Sequence, residues 1–146
     1  MAKIYDPKMH SAEHLLNQTM VRMFDCGRCF SAHINRKKSK CDYRFDRELT
    51  EQEIKAIEET VNEKISQDLE VVIEHLPPEV AGQEFNLERV PDQAELSSFR
   101  IVRMGVYDAC PCIGPHVTST GGIGQFKIIS TDYADQVLRI RFKLME

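Results

Sequence analysis

The chain has 146 residues, 42% hydrophobic and 29% charged, with a formal net charge of −4. A chain of this length buries roughly two thirds of its unfolded surface, so a single domain over residues 1–146 is expected and no metal is needed merely to hold it together. No apolar run approaches the ~20 residues of a membrane span, so no membrane partner is expected, and the acidic balance argues against indiscriminate affinity for nucleic acid without forbidding a local basic patch.

The N-terminus opens "MAKIYDPK", without a signal-peptide pattern, and a cytoplasmic location is expected. Asp6-Pro7 then reads as an N-cap followed by proline at the first helical position. Met9, Ala12, Leu16, Met20 and Met23 recur at helical spacing up to Phe24, and Gly27 is expected to stop the helix. Residues 29 to 35 and 40 to 46 predict a hairpin joined by the basic "NRKKSK".

"LTEQEIKAIEETVNEKI" predicts a helix opened by a Thr50–Glu53 capping box, with Ile54, Ile57, Val61 and Ile65 as its apolar stripe. "LEVVIEHL" follows as a strand ended by Pro77-Pro78, and residues 79 to 97 form a polar connection with room for a short helix. The last third reads as one strand "FRIVRMGVYD", a turn-rich "ACPCIGPHVTSTGGIG", and two strands, "QFKIIS" and "VLRIRFKLM". Alternation in the final run puts Arg139, Arg141 and Lys143 on one face and Leu138, Ile140, Phe142 and Leu144 on the other. Helices and strands interleave without a βαβ rhythm, so the expected fold class is α+β, a mostly antiparallel sheet packed with helices.

Two pairs of metal-ligand residues stand out. His10 and His14 lie four apart on the first helix, hence on one face, and Cys112 and His116 lie four apart on a turn rich in Gly and Pro. Three imidazoles and a thiolate suit a tetrahedral zinc ion and are poor ligands for Mg²⁺ or Ca²⁺. The zincin protease motif needs Glu directly after the first His, whereas here Glu13 directly precedes the second.

Five cysteines, an odd number, are better suited to metal binding or chemistry than to disulfides. Rival placements therefore stay open. Cys110 stands close enough to replace Cys112, and Cys26 and Cys29 form a C-x-x-C that could join His33 or Cys41, although the plainer reading of Cys26, Cys29 and Cys41 is small semi-buried side chains. His33 and His75 have no evident partner in the sequence and read as ordinary surface or core histidines.

At "HSAEHLL" and "CIGPHVTSTGGIGQFKI" the sequence resembles the editing domain of alanyl-tRNA synthetases, above all the free-standing AlaX proteins that carry this domain alone. Those relatives combine H-x-x-x-H, C-x-x-x-H and T-G-x-I-G-x-x-K-I, here Thr120 to Ile128, and the likeness runs in order along nearly the whole chain. One departure is Ile113-Gly114-Pro115, where many relatives have Gly-Gly-Thr; "GPHV" is similar to the editing domain of bacterial threonyl-tRNA synthetases.

The resemblance implies a zinc-dependent hydrolase that removes a wrong amino acid, serine above all, from the 3′ acceptor end of a tRNA such as the alanine acceptor. It assigns zinc ligation to His10, His14, Cys112 and His116 and leaves the attacking base unassigned. Ser31 and Thr120 are candidate substrate contacts through their hydroxyls, the alternative being ordinary surface hydroxyls. Gly121, Gly122 and Gly124 could let backbone approach the terminal adenosine, the alternative being a turn between strands. Arg36, Lys37, Lys38 and Lys40 read either as phosphate contacts or as a solvated hairpin tip. Two other functions compete: a zinc-braced RNA-binding module without turnover, and a metallohydrolase of a small ester or amide.

Overall fold

The structure is a computed structural model and describes residues 6–85 and 98–145. Helix α1 (Pro7–Phe24) begins at the expected cap, with the Asp6 side chain accepting from the Met9 N–H and proline in the first turn. It ends at Phe24, three residues before Gly27. Asp25 adopts the left-handed conformation (φ 53°) and its N–H bonds the Val21 carbonyl, so an aspartate, one of the residues that tolerate this region, stops the helix instead of the glycine.

The hairpin of β1 (Ser31–His33) and β2 (Ser39–Arg44) follows, then α2 (Glu51–Ser66). The capping box of α2 is complete: Glu53 N–H donates to Thr50 Oγ1 at 3.1 Å and Thr50 N–H to Glu53 Oε1 at 2.9 Å. Ile57, Val61 and Ile65 are buried, and Ile54 packs against the same core.

Next come β3 (Val71–Leu76) and a short α3 (Pro78–Glu84); the rest of the expected polar connection, residues 86–97, lies outside the described residues. "FRIVRMGVYD" is two strands and not one. Gly105, at φ 54°, turns the chain between β4 (Phe99–Met104) and β5 (Asp108–Pro111), so β5 takes the first residues of the segment expected to be all turn. Strand β6 (Gln125–Ala134) extends well past "QFKIIS", and β7 (Val137–Met145) has the expected bounds. They are joined by Asp135 and Gln136, both at positive φ, which is the two-residue hairpin geometry without the usual Asn-Gly signal.

All strand pairs are antiparallel, in a four-stranded sheet β1-β2-β7-β6 and a three-stranded sheet β3-β4-β5, which makes the fold α+β. Helix α1 bonds to both sheets. Asn17 Oδ1 accepts from the Tyr43 hydroxyl (2.7 Å) and the Cys29 N–H (3.2 Å) on one side, while Thr19, Gln18 and Arg22 reach Tyr107 and Asp108 on the other. Burial on several faces explains why its polar residues His10, Ser11, His14, Asn17 and Thr19 are all buried: each bonds to, or rings against, another element. No helix among the described residues is long and apolar enough to cross a membrane.

Candidate metal centre

The first turns of α1 meet the loop that follows β5. There one ligand atom from each of His10, His14, Cys112 and His116 lies within 4.8 Å of the other three. Helical spacing supplies the first pair on one face, as the sequence predicts, and β5 ends directly before Cys112. The His10 and His116 rings stack with centroids 4.1 Å apart, and His14 meets both edge-on at 5.0 and 4.4 Å.

The three rings are held by groups that fix which nitrogen faces the centre. His10 Nδ1 is 3.0 Å from the Pro115 carbonyl, which can only accept, so the proton sits on Nδ1. Nε2 of that ring then carries the lone pair and can accept the Cys112 thiol proton at 3.4 Å. His116 Nδ1 lies 2.9 Å from Ser11 Oγ, which also accepts the Val117 N–H at 3.1 Å. If that hydroxyl accepts both protons, His116 Nε2 carries the ring's lone pair; if it donates to Nδ1, the ring proton sits on Nε2. His14 Nδ1 lies 3.5 Å from Asp108 Oδ2, outside hydrogen-bond geometry but close enough to orient the ring electrostatically.

Asp108 is itself fixed, by Arg28 Nη1 (2.7 Å) and Gln18 Nε2 (3.0 Å). Arg100 Nη1 donates at 2.8 Å to the carbonyls of both Cys112 and Gly114, which sets the curvature of the ligand-bearing loop. Gly114 has no room for a side chain: a Cβ there would overlap His10 Cε1 and stand 2.8 Å from His10 Nδ1.

Electrostatics prepare the site for a cation. Burial, then the neighbouring His14, lowers the His10 pKa to about 4; burial, then His14 and His10, lowers that of His116 to about 2; burial also lowers that of His14. All three rings are therefore neutral near pH 7, the state in which imidazole donates to a metal. Burial raises the Cys112 thiol, which a bound ion would deprotonate. Burial pushes the Asp108 carboxyl up, but His14 and Arg28 outweigh it and hold it at about 2.

A metal fits this arrangement. His116 Nε2 is a buried nitrogen without a hydrogen-bond partner among the described residues, and an unpaired buried polar atom calls for a ligand or a function. Three nitrogens and one sulfur are compatible with tetrahedral zinc.

The other sequence candidates fall elsewhere. Cys110 stays out of the four-residue group, its thiol directed at the Pro111 carbonyl and pushed up to about 12 by burial. Cys29 and Cys41 gather with Glu13, not with Cys26, whose thiol bonds the Met20 carbonyl, nor with exposed His33. His75 is exposed on β3. Ser31 lies on β1, with Lys40 Nζ 3.4 Å from its hydroxyl.

The Thr120 side chain is fully buried and committed at both ends: its hydroxyl donates to the Lys64 carbonyl and accepts the Leu69 N–H, each at 2.8 Å. These bonds account for Thr120 as a brace between α2 and the 3₁₀ turn Thr120–Gly122. Gly121 is accounted for in the same way. Its N–H donates to Asp68 Oδ1, onto which any Cβ would collide, whereas Gly122 has ordinary space around it. The positioning residues Ser11, Arg28, Arg100 and Asp108 escaped sequence reasoning; Ser11 alone carried a signal, lying inside the H-x-x-x-H pair.

Fold and site together define an α+β protein with a partly buried three-imidazole, one-thiol donor set shared by a helix and a loop. Residues 99–141, which include Cys112 and His116, match the "Threonyl and Alanyl tRNA synthetase second additional domain" family. The chain is 33% identical over 141 residues to alanine--tRNA ligase of Methanothrix thermoacetophila, 32% over 130 residues to that of Listeria monocytogenes, and 31% over 122 residues to that of Coxiella burnetii. These alignments cover 91%, 84% and 83% of this chain but only 15%, 14% and 14% of the ligases. The chain thus spans about a seventh of the length of the curated relatives it matches. It is an AlaX-like relative of the alanyl-tRNA synthetase editing region.

Proposed function

We propose that the protein is a zinc-dependent aminoacyl-tRNA deacylase acting in trans, cleaving the ester that joins a wrong amino acid, serine above all, to the 3′ end of a tRNA such as the alanine acceptor. The observation that carries this reading is the convergence of His10, His14, Cys112 and His116 within 4.8 Å in a chain with this family likeness.

His10, His14 and His116 offer bare or bareable nitrogens in the neutral form, and Cys112 offers the thiol. A zinc ion held there would polarise the ester or activate a water where one coordination position stays open, and would orient the tRNA terminus where all four protein ligands stay bound. Pro115 and Ser11 keep two rings turned inward, Asp108 steers the third, and Arg100 holds the loop that presents Cys112. Burial of Ser11 and Asp108 keeps bulk water from competing with their contacts to the rings.

The chemistry also explains why such an activity is useful. A synthesis pocket built for a small apolar side chain rejects an isostere bearing one extra hydroxyl by only ~10²-fold in comparable cases. A second site selects in the opposite sense, because polar groups that bond the serine hydroxyl are left unpaired by alanine.

The test is release of amino acid from seryl-tRNA and alanyl-tRNA of the alanine acceptor, with His10→Ala as control. Serine is expected to leave far faster than in buffer and alanine not. Serine release no faster than in buffer removes the reading; tRNA binding without turnover would instead mark a zinc-braced binding module.

A further inference from the structure

The face of the four-stranded sheet turned away from α1 takes no part in the metal centre. Tyr43 points at Asn17 of α1, so alternation along the strands sends its neighbours to the opposite side. That side carries Lys40, Arg44, Lys127, Arg139, Arg141 and Lys143 against only Asp42 and Asp132 among the charged groups of β2, β6 and β7, on a chain whose net charge is −4.

Most of these cations are spoken for. Lys40 (2.5 Å) and Arg139 (2.8 Å) both hold Asp42, Arg141 holds Asp132 (2.6 Å), and the Arg44 guanidinium lies 3.9 Å over the Phe30 ring. Lys127 and Lys143 remain. They are direct cross-strand partners, both exposed, and neither makes an ion pair among the described residues. Like charges placed opposite one another destabilise a sheet.

The β1–β2 hairpin brings three more cations to the same corner. Ser39 pairs with Phe142, so continuing the antiparallel register by one residue sets Lys38 beside Lys143. Arg36, Lys37 and Lys38 are all exposed and likewise make no ion pair among the described residues. Adjacent strands are ~4.8 Å apart, so the charges are spread along a row and not gathered round one point. An extended polyanion matches a row of charges better than a single small anion does. The row of cations suits a phosphodiester backbone, and an exposed aromatic ring, His33, lies beside it opposite Lys40 on β1.

We propose that Arg36, Lys37, Lys38, Lys127 and Lys143 form a binding surface for the phosphodiester backbone of an RNA stem. The proposal rests on the reading of the substrate as a tRNA, and it places stem binding on the sheet face opposite α1.

The probe is a labelled, unacylated RNA minihelix of acceptor-stem type, followed by fluorescence anisotropy over a salt series, so that hydrolysis plays no part. The variants are Lys127→Gln/Lys143→Gln and Arg36→Gln/Lys37→Gln/Lys38→Gln. The control is Lys55→Gln, an exposed position on α2. Removing one cation that neutralises a phosphate should reduce the slope of log K against log[salt] by about 0.9, so the double variant should reduce it by about 2 and the triple by about 3. Lys55→Gln should leave it unchanged. The double variant should melt no lower than wild type, since it removes a repulsion, and this separates weakened binding from misfolding.

An unchanged slope in both basic variants, an equal reduction in Lys55→Gln, or absence of minihelix binding by the wild type overturns the proposal. Release of serine from seryl-adenosine, which lacks a stem, tests the deacylase reading separately: failure there with the salt slopes as expected sinks the hydrolysis and leaves the surface standing.

Discussion

Gly114→Ala tests whether the packing of the ligand loop against His10 is what positions that ring. The new methyl would stand 2.8 Å from His10 Nδ1 and closer still to Cε1, where ordinary contact begins at 3.4 Å. The ring must therefore retreat by at least about 0.6 Å, whereas metal–ligand distances tolerate only about ±0.2 Å. It cannot retreat and keep the 3.0 Å bond from Nδ1 to the Pro115 carbonyl, because Pro115 is the residue next to the added methyl. Loss of such an orienting bond costs roughly 10–100-fold in metal affinity, or about 1.4–2.8 kcal/mol. The assay is zinc titration in competition with a chromophoric chelator, with circular dichroism to confirm the fold. Gly27→Ala is the matched control, since a Cβ there meets nothing within 4 Å. Wild-type zinc affinity in a folded Gly114→Ala protein would refute the claim that His10 is held by this contact.

Two further outcomes follow from groups outside the donor set. Thr120→Val should lower stability by about 1–3 kcal/mol in urea melts, because the Leu69 N–H and Lys64 carbonyl lose their shared partner; a selective rise in KM for seryl-tRNA with unchanged stability would instead make Thr120 a substrate contact. Acid stability should depend on Glu53, whose carboxyl is held down at about 2 by Arg47 and then by the Thr50 N–H. A carboxylate depressed in the folded state contributes fully above its ordinary value of 4.5 and loses that contribution as the pH falls toward about 2. Glu53→Gln should therefore flatten the change in melting temperature across that window, and an unaltered profile would contradict the assignment.

What could be read from the sequence was local. The capping box at Thr50 and Glu53 involves residues three apart, and β7 alternates cleanly because one of its faces packs on the core and the other carries charge. The two ligand pairs were legible for the same reason, each spanning one helical turn or one loop. Features with no local signature were missed: an aspartate in place of glycine at the end of α1, and a β6–β7 turn with positive φ at Asp135 and Gln136. Gly105 was the converse case, a visible glycine whose neighbours on both sides looked like strand. The groups that orient the ligands lie far from them in the chain. Arg28 meets Asp108 across 80 residues and Ser11 meets His116 across 105, so only the folded chain could reveal them.

That supporting shell also decides what sort of site this is. A nitrogen shut away from water without a partner costs about 1–3 kcal/mol, and His116 Nε2 is such an atom among the described residues. Removing that ring would relieve the cost, yet Pro115, Ser11, Asp108 and Arg100 are all committed to keeping the rings and the thiol together. The hydrophobic core does not need them: Leu15, Leu16 and Met20 on the following turns of α1 pack with Tyr43, Phe126 and Phe142 irrespective of the donor set. A constellation braced from four directions that the core does not need is arranged as a binding site, and three neutral imidazoles with one thiol are a donor set compatible with a soft divalent cation.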